Sequence, residues 1–198
     1  MSASQHDSLL DDLWMQFCKG DQKALGDIAA DFYSSLHHYG TKFTDDRELI
    51  KDCLQDLFLE IWEKRDRIAD VRNPKSYLFQ AFRNNLLYRV KKANRYRGIL
   101  ESDTDQLSTF SLEADWISKE TENDLGQKLG QTFERLPKRQ REALYLRYYE
   151  ELSYDEIADI MGLQRQAVAN YIQYGIQKLR VYWQQTLISL NLLLTALF

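Results

Sequence analysis

The sequence predicts an all-α protein of two helical domains joined by an acidic linker. Only two prolines and eight glycines interrupt 198 residues rich in Leu, Ala, Gln, Glu and Arg, the composition of a helical chain. Apolar residues recur at steps of three and four along most of its length, the period of amphipathic helices. From Gly98 to about Glu120 that period fades and Ser, Thr, Asp and Glu dominate. The chain therefore divides into 7–97, a linker 98–120, 121–182 and an apolar tail 183–198.

The first domain begins with a helix over Ser8–Lys19 carrying Leu9, Leu10, Leu13, Trp14 and Phe17. Gly20 and Asp21 end it and cap a second helix, about 22–40, that buries Leu25, Ile28, Ala29, Phe32, Leu36 and Tyr39. Thr44–Asp46 forms a turn before a long third helix, about 47–67. Asn73 is the N-cap and Pro74 the first residue of a fourth, reaching about Asn94, with Tyr77, Leu78, Ala81, Phe82, Leu86 and Val90 inward. The linker holds at most a short helical piece near 112–117. Two helices, 121–136 and 137–150, follow, with Pro137 in a first turn. Leu125, Leu129, Phe133, Leu136, Ala143, Leu144, Leu146, Tyr148 and Tyr149 are their expected core residues.

The stretch 136–180 has the most specific pattern. Ser153 followed three residues later by Glu156 is a capping box, so a helix starts at Tyr154. Ile157, Ala158 and Met161 share a face and Gly162 permits a tight turn. A second helix resumes at about Gln164, with Ala167, Val168, Tyr171, Ile172 and Leu179 as its apolar stripe. Two short helices about a glycine turn form a helix-turn-helix. The opposite face holds Gln164, Arg165, Gln166, Asn170, Gln173 and Lys178, amides and cations able to hydrogen-bond base edges in a major groove. An ordinary bundle's helix pair is the alternative.

Two further stretches carry candidate interfaces. Asp52, Gln55, Asp56, Leu59 and Glu63 make an acidic, amide-bearing stripe beside Leu54, Leu57, Phe58, Ile61 and Trp62. It suits a partner helix bearing arginines; a solvated face beside a core is the plainer alternative. From Arg83 to Arg97 six basic residues stand with no acidic one, interleaved with aromatics. That combination suits single-stranded DNA, which needs neutralised phosphates and flat stacking partners, against the alternative of a solvated helix end. Gly98–Asp124 reverses the balance, with eight acidic residues against Lys119 alone. The net charge of -4 hides this segregation.

Cys18 and Cys53, with His6, His37 and His38, have no metal-ligand spacing. The expectation is reduced, buried thiols in the cytoplasm and no metal or cofactor. No nucleophile–base set or phosphate-binding glycine loop appears either, so an enzyme is not expected. The amino terminus lacks the pattern of a signal peptide. The apolar tail is too short and too interrupted by Gln184, Gln185 and Asn191 to span a membrane. It is expected to pack on the second domain or on a partner.

In order and separation, these parts resemble the extracytoplasmic-function sigma factors, small two-domain members of the sigma-70 family. The run from Asp52 to Trp62 resembles region 2.2, which implies docking to core RNA polymerase by Asp52, Gln55, Asp56, Phe58 and Trp62. The run Arg72–Phe79 and its continuation to Arg83 and Asn84 resembles regions 2.3 and 2.4. This implies reading of the -10 element as a single strand by Arg72, Asn73, Tyr77, Arg83, Asn84, Arg89, Lys91 and Lys92. The stretch from Leu136 to Arg180 resembles region 4. It implies reading of the duplex -35 element by Gln164, Arg165, Gln166, Asn170, Gln173, Tyr174 and Lys178, with Arg139, Arg147 and Arg180 as further phosphate contacts. An anti-sigma partner is implied by the same resemblance. Gly175 departs from the alanine common in the family, at a helix-propensity cost of about 1 kcal/mol. A stand-alone helix-turn-helix regulator and a sigma-imitating inhibitor are the rival readings.

Overall fold

The protein is represented by a computed structural model that describes the backbone of residues 3–96, 110–111 and 133–196, with side-chain surroundings from 8 to 181 within those ranges. Seven α-helices make up the described chain. They are α1 (Ala3–Cys18), α2 (Gln22–Thr41), α3 (Arg47–Lys64), α4 (Pro74–Tyr96), α5 (Lys138–Tyr148), α6 (Tyr154–Met161) and α7 (Arg165–Ala196). The short helical piece at 112–117 and most of the helix read at 121–136 lie outside the described residues.

Local chemistry sets each helix start. Asp21 caps α2 by accepting from the amides of Lys23 and Ala24, and Asp46 caps α3 by accepting from Leu49. Asn73 Oδ1 accepts from Ser76 N at 2.8 Å ahead of Pro74, as the sequence led us to expect. Pro137 sits one position earlier than expected, as the N-cap of α5. Helix α3 ends at Lys64 and not at Arg67, which closes instead a 3-10 turn over Arg65–Arg67. There the Arg65 guanidinium bonds the Trp62 carbonyl at 2.9 Å and lies over the Trp62 ring, tightening the exit.

Helices α1 to α4 enclose Trp14, Phe17, Ile28, Phe32, Leu36, Ile50, Leu54, Leu57, Leu78 and Phe82, all buried. Gly40 lets α2 approach closely: a Cβ there would lie 2.9 Å from Ile50 and 3.0 Å from Phe82. Helices α5, α6 and α7 form the second bundle, with Leu144, Leu146, Ile157, Ile160, Val168 and Ile172 inside. The capping box of Ser153 and Glu156 is formed, and Gly162 adopts φ 62°, so the helix-turn-helix is present as the sequence predicted. Tyr148 and Tyr149, expected in the core, are exposed, whereas Tyr145 is buried. Tyr149 stacks at the rim on Tyr145 and His38.

Helix α7 passes residue 182 without a break and ends at Ala196, a rod of about 48 Å at 1.5 Å per residue. Among the described residues no helix is long and apolar enough to cross a membrane. Gly175 does not disturb α7. A Cβ at this position would lie 2.7 Å from Leu144 Cδ1, so the missing side chain is what lets α5 and α7 pack closely. We therefore expect Gly175→Ala to lower stability by about 1 kcal/mol, because overpacking costs about 1 to 3 kcal/mol and exceeds the propensity gained. Thermal melting of the two chains checks this, and a higher melting temperature for the variant would reject the close-packing account.

Candidate nucleic-acid interface

The two bundles meet face to face. Helix α4 packs along α6, and the carboxylate of Glu142 on α5 reaches residues of α4 and α2. Arg83 Nε donates to Glu142 Oε1 at 2.6 Å and Nη2 to Oε2 at 3.1 Å, a bidentate pair with both side chains almost wholly buried. Tyr39 Oη donates to the same Oε1 at 2.6 Å. Burial alone would make Arg83 less basic, but the Glu142 carboxylate outweighs it and holds the guanidinium more basic than usual. The Tyr39 phenol is pushed well up by burial and by Glu142.

A second buried chain of hydrogen bonds lies beside the first. Tyr145 Oη donates to Glu150 Oε1 at 3.0 Å, so His38 Nδ1, 2.8 Å from the same Oη, acts as donor to it. Burial raises the pKa of Glu150 against the opposing pull of the Tyr145 bond and the Lys75 charge. At the edge, Asn73 Nδ2 donates to Glu156 Oε1 at 2.7 Å, Lys75 Nζ to the Glu150 carbonyl at 2.7 Å, and Gln80 Nε2 to the Asp159 carbonyl at 2.5 Å.

Of the residues read as -10 contacts, Arg83 and Asn73 are thus engaged by the second bundle. Arg72, Asn84 and Lys92 are exposed, while Tyr77, Arg89 and Lys91 are half-buried. The last turns of α4 open into a cavity of about 580 Å³ lined by Tyr88, Lys91, Lys92, Arg95 and Tyr96. Cations and rings lie together there, as single-stranded nucleic acid requires. Tyr88 and Tyr96 are strongly exposed.

The face read as the -35 surface is open. Gln164 just ahead of α7 and Arg165, Gln166, Gln173, Tyr174 and Lys178 along its first half are exposed, and Asn170 is half-buried. Gln166 Nε2 donates to Asn170 Oδ1 at 3.2 Å. Arg165 reaches Asp155 at 3.2 Å and lies over Tyr154. On α3, Asp52, Gln55 and Glu63 are exposed, with Asp56, Phe58 and Trp62 half-buried along the same stripe. Asp56 is paired with Arg89 of α4, so two surfaces that the sequence reading kept apart touch at this point.

Glu142, Tyr39, Tyr145, Glu150 and His38 were not singled out as functional by sequence reasoning. The sequence carries no signal for them: residues 141 to 146 are buried without interruption in the structure, yet Arg141 and Glu142 are charged and read as a solvated face. Both cysteines are free; Cys53 is buried as expected, and burial pushes its thiol up to about 11, whereas Cys18 is only half-buried, its thiol raised by burial and by Asp66. Among the described residues no group of three or more His, Cys, Asp or Glu side chains could hold a metal ion.

Two family descriptions match the chain: Sigma-70 region 2 over residues 28–96 and Sigma-70, region 4 over residues 126–179. The chain belongs to the sigma-70 family. Among curated proteins, this sigma factor is 25% identical to the RNA polymerase sigma factor SigZ of Bacillus subtilis (strain 168), over 78% of this chain and 84% of that one. It is also 25% identical to the ECF RNA polymerase sigma factor SigW of the same organism, over 83% and 91%. The chain is a member of the extracytoplasmic-function group and acts in transcription initiation. Its fold is similar to that of CnrH in complex with the cytosolic domain of CnrY, with TM-score 0.59 and 21% identity over 88% of this chain and 97% of that one. It is likewise similar to the sigma factor RpoE in complex with the anti-sigma factor NepR from Bartonella quintana, with TM-score 0.57 and 21% identity over 80% and 97%.

Removing one partner of the buried pair strands the other charge, which costs about 3 to 5 kcal/mol. Glu142→Leu should destabilise the sigma factor by that amount, and adding Arg83→Met should restore most of it; denaturant unfolding of both variants checks this. A double variant no more stable than the single one would show that the loss does not come from a stranded Arg83 charge. For Glu150, the folded pKa lies above the unfolded value of about 4.3. Its stabilising contribution is therefore complete at lower pH and is lost as pH rises through the raised value. Glu150→Gln should accordingly gain melting temperature relative to wild type between pH 4 and pH 7.5. An unchanged difference across that range would contradict the assignment.

Proposed function

We propose that this sigma factor reads promoters and docks core polymerase through three surfaces, two of which meet at Asp56 and Arg89. The -35 duplex is read by Gln164, Arg165, Gln166, Asn170, Gln173 and Tyr174, with Lys178 on the phosphates. The observation that carries this is the exposed amide and guanidinium face of α7, placed by a capped α6 and a left-handed Gly162. The -10 strand is held by Arg72, Asn73, Tyr77, Arg83, Asn84, Arg89, Lys91 and Lys92. Core polymerase takes the stripe of Asp52, Gln55, Asp56, Phe58 and Trp62, whose carboxylates suit arginines on a partner helix.

In this reading 7–97 and 121–182 are the two working domains, with 98–120 as linker and 183–198 as tail. The two family matches lie inside the working domains. The protein acts in the cytoplasm, where polymerase and promoter are, and performs no catalytic step of its own. An anti-sigma partner regulates it, a reading supported by one fold neighbour, RpoE, solved with the anti-sigma factor NepR.

Run-off transcription with core polymerase on randomised promoters tests the whole. Transcripts sharing two spaced motifs are expected; duplex binding without transcription would favour a stand-alone regulator. Asp56→Arg with Gln55→Ala should abolish measurable core affinity in a titration, and unchanged affinity would remove the docking assignment. Arg165→Ala should relax base preference at its -35 position by about 1 to 3 kcal/mol, the worth of a good bidentate contact. An unaltered base profile would take Arg165 off the list.

A further inference from the structure

The second half of α2, the start of α3 and the turn between them enclose a cavity of about 770 Å³, whose wall includes Tyr33, His37, Thr44, Asp45, Arg47 and Lys51. No residue of this wall is among those assigned to polymerase or to DNA. Ligand pockets are mainly apolar, but every lining side chain described here is polar. The occupant it suits is therefore small and strongly polar.

One corner is cationic. The Arg47 guanidinium and both ring nitrogens of His37 have no hydrogen-bond partner among the described residues. Lys51 holds Glu48 of the same helix at 2.7 Å, with both side chains about half exposed or more, and such surface pairs contribute little. Burial makes His37 less basic, and the charges of Arg47 and Lys51 make it less basic still, with no carboxylate opposing them at the ring. The field there is positive although Asp45 lines the same cavity. The neighbouring His38 is bonded to Tyr145 and stacked on Tyr149, and takes no part.

A second feature is flat. Tyr33 stacks on His37 with ring centroids 6.1 Å apart and planes 19° from parallel, and its side chain remains 42% exposed. Ring surface is thus left open for another planar group. Thr44 Oγ1 accepts from Asp46 N at 3.2 Å, which leaves its hydrogen to donate, and Ser34 stands exposed on the same wall.

We infer that this cavity is a binding site for a free nucleoside phosphate, with the phosphate on Arg47, Lys51 and His37, the base on Tyr33 and the sugar hydroxyls toward Ser34 and Thr44. A guanidinium fork matches phosphate oxygens, and stacking on a tyrosine is tolerant of base identity. Bound phosphate offsets the two cations that keep the imidazole neutral, so occupancy favours the imidazolium and raises the His37 titration midpoint. The site stands independently of the promoter and polymerase assignments.

The full-length chain with isotope-labelled His and Tyr rings is titrated with GDP, guanosine and inorganic phosphate, and the His37 and Tyr33 resonances are followed by NMR between about pH 5 and pH 8, where a histidine titrates. GDP should shift both rings saturably and raise the His37 midpoint. Guanosine and phosphate, each engaging one part of the site, should bind at least about tenfold more weakly. Arg47→Ala should weaken GDP by about tenfold, the loss of a charge-assisted contact, and Tyr33→Ala should weaken GDP while leaving phosphate unchanged. No saturable shift with GDP, or no effect of either variant, overturns the inference. Phosphate binding as tightly as GDP would mean an adventitious ion only. A short single-stranded DNA that displaces GDP at lower concentration would give the site to nucleic acid and overturn the free-nucleotide reading. Should a variant lose helicity, the wild-type comparison of GDP with guanosine and phosphate decides alone.

Discussion

A guanidinium and a carboxylate taken out of water together must satisfy each other, because each loses several kcal/mol of hydration that only a close, well-aligned partner returns. Arg83 and Glu142 meet this condition with two hydrogen bonds, and Tyr39 fills a further lone pair of the carboxylate. The relative placement of the two bundles depends on this junction. Helix α4 carries one charge and α5 the other, so neither bundle can slide without breaking a fixed geometry. Around it the aromatic stack and the edge contacts of Asn73, Lys75 and Gln80 follow from the register that the pair imposes. Apolar side chains of the same volume would give adhesion with less directional preference.

The polar junction also distinguishes this boundary from the cores on either side. Within the first bundle Trp14, Phe17, Phe32 and Phe82 pack with almost no polar intrusion. Between the bundles the buried groups include the polar Arg83, Glu142, Glu150, Tyr39 and Tyr145, and backbone carbonyls of Glu150 and Asp159 accept bonds nearer the edge. Interfaces meant to part are more polar than permanent ones, because their groups must be tolerable in water when separated. A guanidinium that leaves a carboxylate for DNA exchanges one anion for another.

Much of this was legible in the sequence where the chemistry is local. Ser153 and Glu156 are three residues apart, Asn73 and Pro74 are adjacent, and Gly162 follows an eight-residue helix; each specifies its own backbone. The exposed faces of α3 and α7 were legible for the same reason, since helical period alone sorts their polar from their apolar positions. The junction was not, because Arg83 and Glu142 stand 59 positions apart and a charge in sequence does not name its partner. Arg83 read as one of six unopposed cations when its counter-ion lay in the other bundle. Gly175 read as a cost, since its reason is Leu144 on another helix. Tyr148 and Tyr149 were placed inside from a run of apolar residues that is buried only as far as Leu146.

Glu156 shows how such a boundary can open without damage. One of its oxygens accepts from Ser153 N at 2.6 Å and belongs to the cap of α6; the other accepts from Asn73 at 2.7 Å. Loss of the Asn73 bond leaves the cap intact, so the start of α6 does not depend on contact with the neighbouring bundle. The helix-turn-helix is thus a self-finished part, fastened to its neighbour by the spare valence of a group already at work inside it. It can be detached and reattached as a unit, like a snap fitting whose stud is also a rivet.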